Sequence, residues 1–170
     1  MPRVVLYQPE IPPNTGNVAR TCAATGCELH LIEPLGFSLE DRYLRRAGLD
    51  YWPLVPLHRH ADAEAFEQLR RQRGGRLVAL SARVSEPYDG FIFEPDDWLL
   101  FGRESDGLPE ELLDRAEARL SIPMARSSRQ IAGGVRSLNL SVAVGVVLFE
   151  ALRQLRLHRP DGNGSIGSVG

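Results

Sequence analysis

Lysine is absent from this chain. All twenty of its Lys-plus-Arg residues are arginine, so a phosphate loop of the GxxxxGK[ST] type, which needs the lysine ammonium, cannot exist here. Cysteine is scarce: Cys22 and Cys27 are the two thiols. They are too few for a disulfide framework or an all-cysteine zinc site, and their surroundings read as those of buried free thiols. His58 and His60 are a poor metal set on their own, and no metal is expected. No run of eighteen apolar residues occurs, so no membrane-spanning helix is expected. The opening residues lack the charged start, apolar stretch and cleavage site of a secretory signal, which makes the cytoplasm the expected location. No G-x-G-x-x-G follows a strand-like run, so the dinucleotide fingerprint is missing too. Positive charge is not in excess: the formal net charge is −2, and there is no global nucleic-acid signature.

What is present is a chain of 170 residues, 43% hydrophobic and 25% charged, enough for one core of ordinary domain size. Its arginines cluster in "DRYLRRAG" (Arg42, Arg45, Arg46), "RRQRGGR" (Arg70, Arg71, Arg73, Arg76) and "RSSRQIAGGVR" (Arg126, Arg129, Arg136). A planar guanidinium fork suits phosphate, while a solvated helix face is the plainer reading of such clusters. Arg42, Arg45 and Arg46 share one face of a helix, where like charges repel unless a partner meets them. Phosphate groups of a partner are expected to meet them; Asp41 and Asp50 are the alternative.

Along the chain, apolar strand-like runs alternate with helical patterns. "RVVLY" precedes a helix from Asn14 to Thr25, with Asn14 as cap and Gly26 as stop. "ELHLIE" precedes a helix opened by Ser38 and Asp41, and a strand is expected near Trp52 to Val55. A helix from Asp62 to Arg73 leads to "RLVALS", then "DWLLFG", a short helix started by Pro109, "ARLSIP", and a final helix from Ser137 to about Leu157. The expected organisation is a single domain over 1–157, with 158–170 a disordered tail. Continuous apolar strands between helices predict an α/β fold with a mostly parallel sheet covered on both faces. Ligands of such sheets sit at the carboxyl ends of the strands. The final helix, "LNLSVAVGVVLFEALRQL", is apolar nearly all round, so it needs cover on two sides, by central burial or by a second copy of the chain.

Three loops after strands carry unusual polar chemistry: "NTGNVAR" (Asn14, Gly16, Arg20), "FGRESDGLP" (Gly102, Glu104, Gly107), and "IPMARSSRQIAGGVRSLNLS" (Ile122, Ser137, Leu138, Asn139). Singly they read as a capped helix, a turn entering a helix, and a cap at Ser137. Together, in this order and spacing, they resemble the three signature motifs of the SPOUT superfamily of RNA methyltransferases. "LYQPEIPPNTGNVARTCAATG", "LHLIEPLGF" and "LRRAGLDYW" are similar to its small tRNA wobble-nucleotide 2′-O-methyltransferase subgroup, and the likeness spans about residues 3 to 157.

The resemblance implies a C-terminal trefoil knot that binds S-adenosylmethionine, a homodimer, and 2′-O-methylation of the position-34 ribose in the tRNA anticodon loop. By position, Leu80, Gly102, Ile122, Ser137, Leu138 and Asn139 would cradle the cofactor. Arg20 would be the catalytic arginine. Because a guanidinium stays protonated, its expected role is to anchor the ribose phosphate and hold the hydroxyl, with proton loss to the phosphate or water. Asn14 would fix the loop, Glu104 would pair with or orient Arg20, and Ser137 and Asn139 would position the hydroxyl or the cofactor. Ser137 fits the third motif better than Ser127 or Ser128. Arg103 and "SDG" stand where the subgroup commonly has a proline and Thr-Arg-Gly, which leaves the target nucleotide open. A catalytically inactive, dimeric RNA- or cofactor-binding protein of this fold, and an enzyme acting on another tRNA or rRNA nucleotide, are the alternatives.

Overall fold

The structure is a computed structural model, and it describes residues 1–39, 52–125 and 137–157. Six strands, β1 (Arg3–Tyr7), β2 (Leu29–Ile32), β3 (Leu57–His60), β4 (Leu77–Leu80), β5 (Trp98–Phe101) and β6 (Ala118–Leu120), form one sheet in the order β3-β2-β1-β5-β4-β6. Every pairing is parallel. Helices α1 (Pro12–Thr25), α2 (Ala63–Arg73), α3 (Glu110–Arg115) and α4 (Leu140–Leu157) connect and cover it.

The two-residue period of the strands sorts their side chains into two cores. Val4, Leu6, Val78, Leu80, Leu99 and Phe101 face α1 and α4, packing on Val18, Cys22, Val144, Leu148 and Ala151. Val5, Leu77, Ala79, Trp98 and Leu100 face Phe66 of α2 and Leu112 and Leu113 of α3. Because β1, β4 and β5 are buried on both faces over their central residues, they read as continuous apolar runs, as the sequence pattern implied. The edge strands β3 and β6 carry polar residues. Cys22 and Cys27 are buried free thiols, and burial pushes both above the usual thiol range.

Three boundaries differ from expectation. Helix α1 starts at Pro12, with Ile11 as its extended cap and prolines in the first two positions. Those positions have no intrahelical acceptor for an N–H, so proline loses nothing there and Asn14 is freed from capping. Residues Trp52–Leu54 form a 3-10 turn, and the strand lies at Leu57–His60 instead. Pro53 has no N–H to give a ladder, which explains the shift. Helix α4 starts at Leu140, and Asn139 caps it: its Oδ1 accepts the Ser141 N–H at 2.9 Å. Ser137, expected as the cap, is exposed. Gly26 stops α1 as expected, and α2 begins where expected, with Asp62 accepting the Ala65 N–H as its cap. The helix expected after Ser38 and the tail beyond 157 lie outside the described residues. The outer side of α4 carries Val142 and Phe149, 50% and 52% exposed.

Along β2 and β3 the fold adds Glu28 and His30 to the two histidines singled out in the sequence. His30 Nδ1 lies 2.9 Å from His60 Nε2, and His30 Nε2 lies 3.2 Å from Glu28 Oε2. His58 Nε2 is 3.3 Å from the same oxygen. The ligand atoms of Glu28, His30 and His58 fall within 4.8 Å of one another. Arg73, however, already holds both carboxylate oxygens of Glu28 at 2.7 Å.

Burial, reinforced by the neighbouring His58, holds the His30 imidazole down to about 3. The Arg73 hydrogen bond holds Glu28 down to about 2. An unfolded His30 takes up a proton near its ordinary 6.5 that the folded protein refuses. Stability is therefore full above that pH and falls by ~1.4 kcal/mol per unit as pH drops toward about 3. Glu28 acts with the same sign below its ordinary 4.5, because the unfolded carboxyl protonates first. Urea midpoints measured from pH 7.5 to 4.5 should fall steadily below 6.5, and His30→Gln should flatten the upper part of that slope. An unchanged midpoint across this range would contradict the assignment.

Candidate active site

The carboxyl ends of β1 and β5 lie side by side, and each is followed by a loop of the chemistry noted above. Residues Gly102–Leu108 fold back tightly. Arg103 and Gly107 exchange backbone hydrogen bonds of 3.1 and 3.0 Å, and Gly107 sits at φ 77°. A Cβ on Gly102 would lie 2.2 Å from the Gly107 carbonyl carbon and 2.4 Å from Leu108 N. The close approach that the glycine permits is thus to its own loop. Gly102→Ala should cost at least the ~1–3 kcal/mol of overpacking, because backbone atoms cannot rotate away. Thermal melts and transfer assays should both register the loss.

The tight turn delivers Glu104 to the start of α1. Its carboxylate accepts the Glu10 N–H at 2.8 Å, the Ile11 N–H at 3.1 Å and the Asn14 Nδ2–H at 3.1 Å. These donors belong to a helix N-terminus, where free N–H groups and the macrodipole favour an anion. A carboxylate only accepts, so Asn14 must turn its NH₂ toward Glu104 and its oxygen away. That oxygen accepts from Asn139 Nδ2 at 2.8 Å, and the Asn139 oxygen in turn caps α4. One chain of hydrogen bonds, Glu104 to Asn14 to Asn139 to Ser141, therefore joins all three loops. Asn14 is 6% exposed, so the middle of this chain is shielded from water.

A second clasp, with no signal in the sequence, runs the opposite way. The Glu10 carboxylate accepts the Ser105 N–H at 2.9 Å and its hydroxyl at 3.0 Å. Gln8, between β1 and this clasp, sits at φ 45°, unusual for a residue with a side chain.

Arg20 is exposed on α1, about 9 Å beyond Asn14 along the helix axis. The Glu104 carboxylate holds Asn14 and the start of the helix. Leu80, Gly102 and Ile122 come together at the carboxyl ends of three neighbouring strands, where Leu80 pairs with both Phe101 and Leu120. Ile122 and Leu138 are half-buried, and Ser137 is exposed. Ser127 and Ser128, and the proposed RNA-facing Arg42, Arg45 and Arg46, lie outside the described residues. No helix among the described residues is long and apolar enough to cross a membrane.

Comparison with known proteins places this geometry. The chain is 50% identical, over 153 residues, to the Burkholderia pseudomallei protein named tRNA (cytidine(34)-2′-O)-methyltransferase, covering 89% of this chain and 94% of that one. A solved structure described as giving insights into the 2-OH methylation of C/U34 on tRNA superposes with TM-score 0.82. It is 55% identical, and the match covers 91% of this chain and 96% of that one. The AdoMet-bound rRNA methyltransferase of Sinorhizobium meliloti superposes with TM-score 0.78 at 31% identity, covering 91% of this chain and 56% of the other. Residues 1–149 match the SpoU rRNA methylase family as a whole. With a six-stranded parallel sheet, three motif loops tied together at one end of it, a family match over residues 1–149, and two tRNA-modifying relatives that align over nearly their full length, the chain belongs to the SpoU rRNA methylase family.

Proposed function

We propose that this protein transfers a methyl group from S-adenosylmethionine to the 2′-oxygen of the wobble ribose, position 34, in the anticodon loop of tRNA. The observation that carries this reading is the Glu104–Asn14–Asn139 chain, which ties the three motif loops into one site. The wobble ribose as target follows the relatives at about half identity.

The strand ends suit the cofactor. Leu80 and the half-buried Ile122, at the ends of β4 and β6, offer an apolar shelf for a flat base, and Leu138 with the exposed Ser137 would complete the cradle. When bound there, the cofactor supplies an electrophilic methyl on a sulfonium. The protein's part is to align the 2′-oxygen with that methyl and to manage its proton. Arg20 stays charged, so it holds the ribose phosphate and steers the hydroxyl, while the proton leaves to the phosphate or to water. The Glu104–Asn14–Asn139 chain keeps the loops in register around that alignment.

Two further parts of the reading have support in the fold. The segment after β6 pairs with the β4–β5 connection: Ser121 donates to Glu86 O at 2.7 Å and accepts from Tyr88 N at 2.9 Å. That course is compatible with a trefoil knot in which the C-terminal segment passes through the connection. The open apolar stripe at Val142 and Phe149 suits a second copy of the chain, making a homodimer.

Tritiated methyl transfer to unmodified total tRNA, followed by nucleoside mapping, tests the function. The expected product is a 2′-O-methylated nucleotide 34. A methyl on a base, or none on any tRNA despite cofactor binding, would overturn the proposal.

A further inference from the structure

We infer that Arg103 is a phosphate contact for the RNA substrate, and that Asp106 occupies its guanidinium until the RNA arrives. The inference rests on the reading of the substrate as tRNA and adds a residue to it. Arg103 lies between Gly102 and Glu104, at the rim of the site. Its Nη1 donates to Gln8 Oε1 at 3.1 Å, and its guanidinium lies 5.7 Å from the centre of the Tyr7 ring. Both anchors come from the end of β1, so the guanidinium is held in place from the protein side. Its remaining edge, Nε and Nη2, meets the two oxygens of Asp106 at 2.7 and 2.6 Å.

That edge is a fork arranged for an acceptor with two oxygens and one negative charge, which describes a phosphodiester as well as a carboxylate. Asp106 is the replaceable partner. It stands in the Arg103–Gly107 turn with its side chain 58% exposed, and its other contact is a long one, 3.4 Å, from the Ser105 hydroxyl. Arg76 shows the contrast: it pairs with Asp97, whose side chain is fully buried and accepts the Glu94 N–H as well. That carboxylate is fixed in the fold. Exchange of Asp106 for a phosphate keeps the charge balance of the pair and adds release of counterions from the RNA, which favours the exchange at low salt.

An exchangeable pair and a structural brace make different predictions. If Asp106 competes with phosphate, removing each half moves RNA affinity in opposite directions. Arg103→Ala should weaken tRNA binding by roughly three- to tenfold and flatten its log-log salt dependence by about one unit. Asp106→Asn should tighten binding several-fold and steepen the salt dependence. Arg103→Lys, which keeps the charge without the fork, should fall between the wild type and Arg103→Ala. The measurement is equilibrium binding of unmodified tRNA to each variant across a KCl series, with thermal melts to register any loss of folding. Losses of affinity in both Arg103→Ala and Asp106→Asn would make the pair a brace and overturn the inference. Failure of the wild-type protein to bind tRNA at any salt would overturn the substrate reading, and this inference with it. Wild-type binding with no effect of Arg103→Ala overturns the inference alone.

Discussion

Arg20→Ala is expected to lower methyl transfer by roughly a hundredfold to a thousandfold while leaving S-adenosylmethionine affinity nearly unchanged. The argument is one of place. Arg20 is exposed on α1, whereas the shelf proposed for the cofactor lies at the ends of β4, β5 and β6. A cation that meets the ribose phosphate contributes most when the hydroxyl is aligned and its charge develops, so its loss appears in turnover before it appears in cofactor binding. Arg20→Lys should recover only part of the rate, because an ammonium lacks the two-pronged geometry. Calorimetry of cofactor binding beside single-turnover transfer makes the comparison. Equal losses in both would assign Arg20 to folding rather than to the substrate.

Glu104→Gln is expected to be nearly as damaging, by a different route. Three donors converge on this carboxylate: the Glu10 and Ile11 N–H groups and the Asn14 amide. A glutamine offers one acceptor oxygen and turns an NH₂ toward groups that are themselves donors. At least one donor is then left unpaired, at a cost of ~1–3 kcal/mol. Turning Asn14 over to recover that bond would set its NH₂ against the NH₂ of Asn139, so the fault propagates along the chain. Transfer should fall by about a hundredfold, the scale expected for a shift of about an ångström at a reacting centre. The melting temperature should fall too, which separates this variant from Arg20→Ala. The pairing of Glu104→Gln with Asn14→Ala should be strongly non-additive, since both break one network. Additive losses would show that the two residues act independently.

Much of the chain was legible without its fold. Continuous apolar strands predicted a parallel sheet covered twice over, because a strand with no polar alternation has no face to give to water. Gly26 marked the end of α1 through local chemistry that works wherever the helix lies, a residue free to adopt the left-handed stop. The three polar loops were recognisable as a set from their residues and order alone.

What the sequence did not disclose was who meets whom. Asn14 looks like a helix cap in isolation, yet Pro12 and Pro13 start the helix and release its amide to link Glu104, 90 residues away, with Asn139, 125 residues away. Glu104 gave no local sign that the turn at Gly102 would aim its carboxylate at the backbone of Glu10 and Ile11. The Glu10–Ser105 clasp and the His30–His60 contact have no local pattern, since each depends on strands brought together from distant parts of the chain. The strand order, with β5 inserted between β1 and β4, is likewise set by packing. The sequence by itself determined the α/β alternation, the buried central strands and the stop of α1, because those follow from periodicity and turn residues within a few positions. It misplaced the strand at Trp52 to Val55, which lies at Leu57–His60. Only the tertiary structure decided the partners of each polar group, because hydrogen bonds form between groups close in space, and only packing of the whole sheet makes these distant residues neighbours.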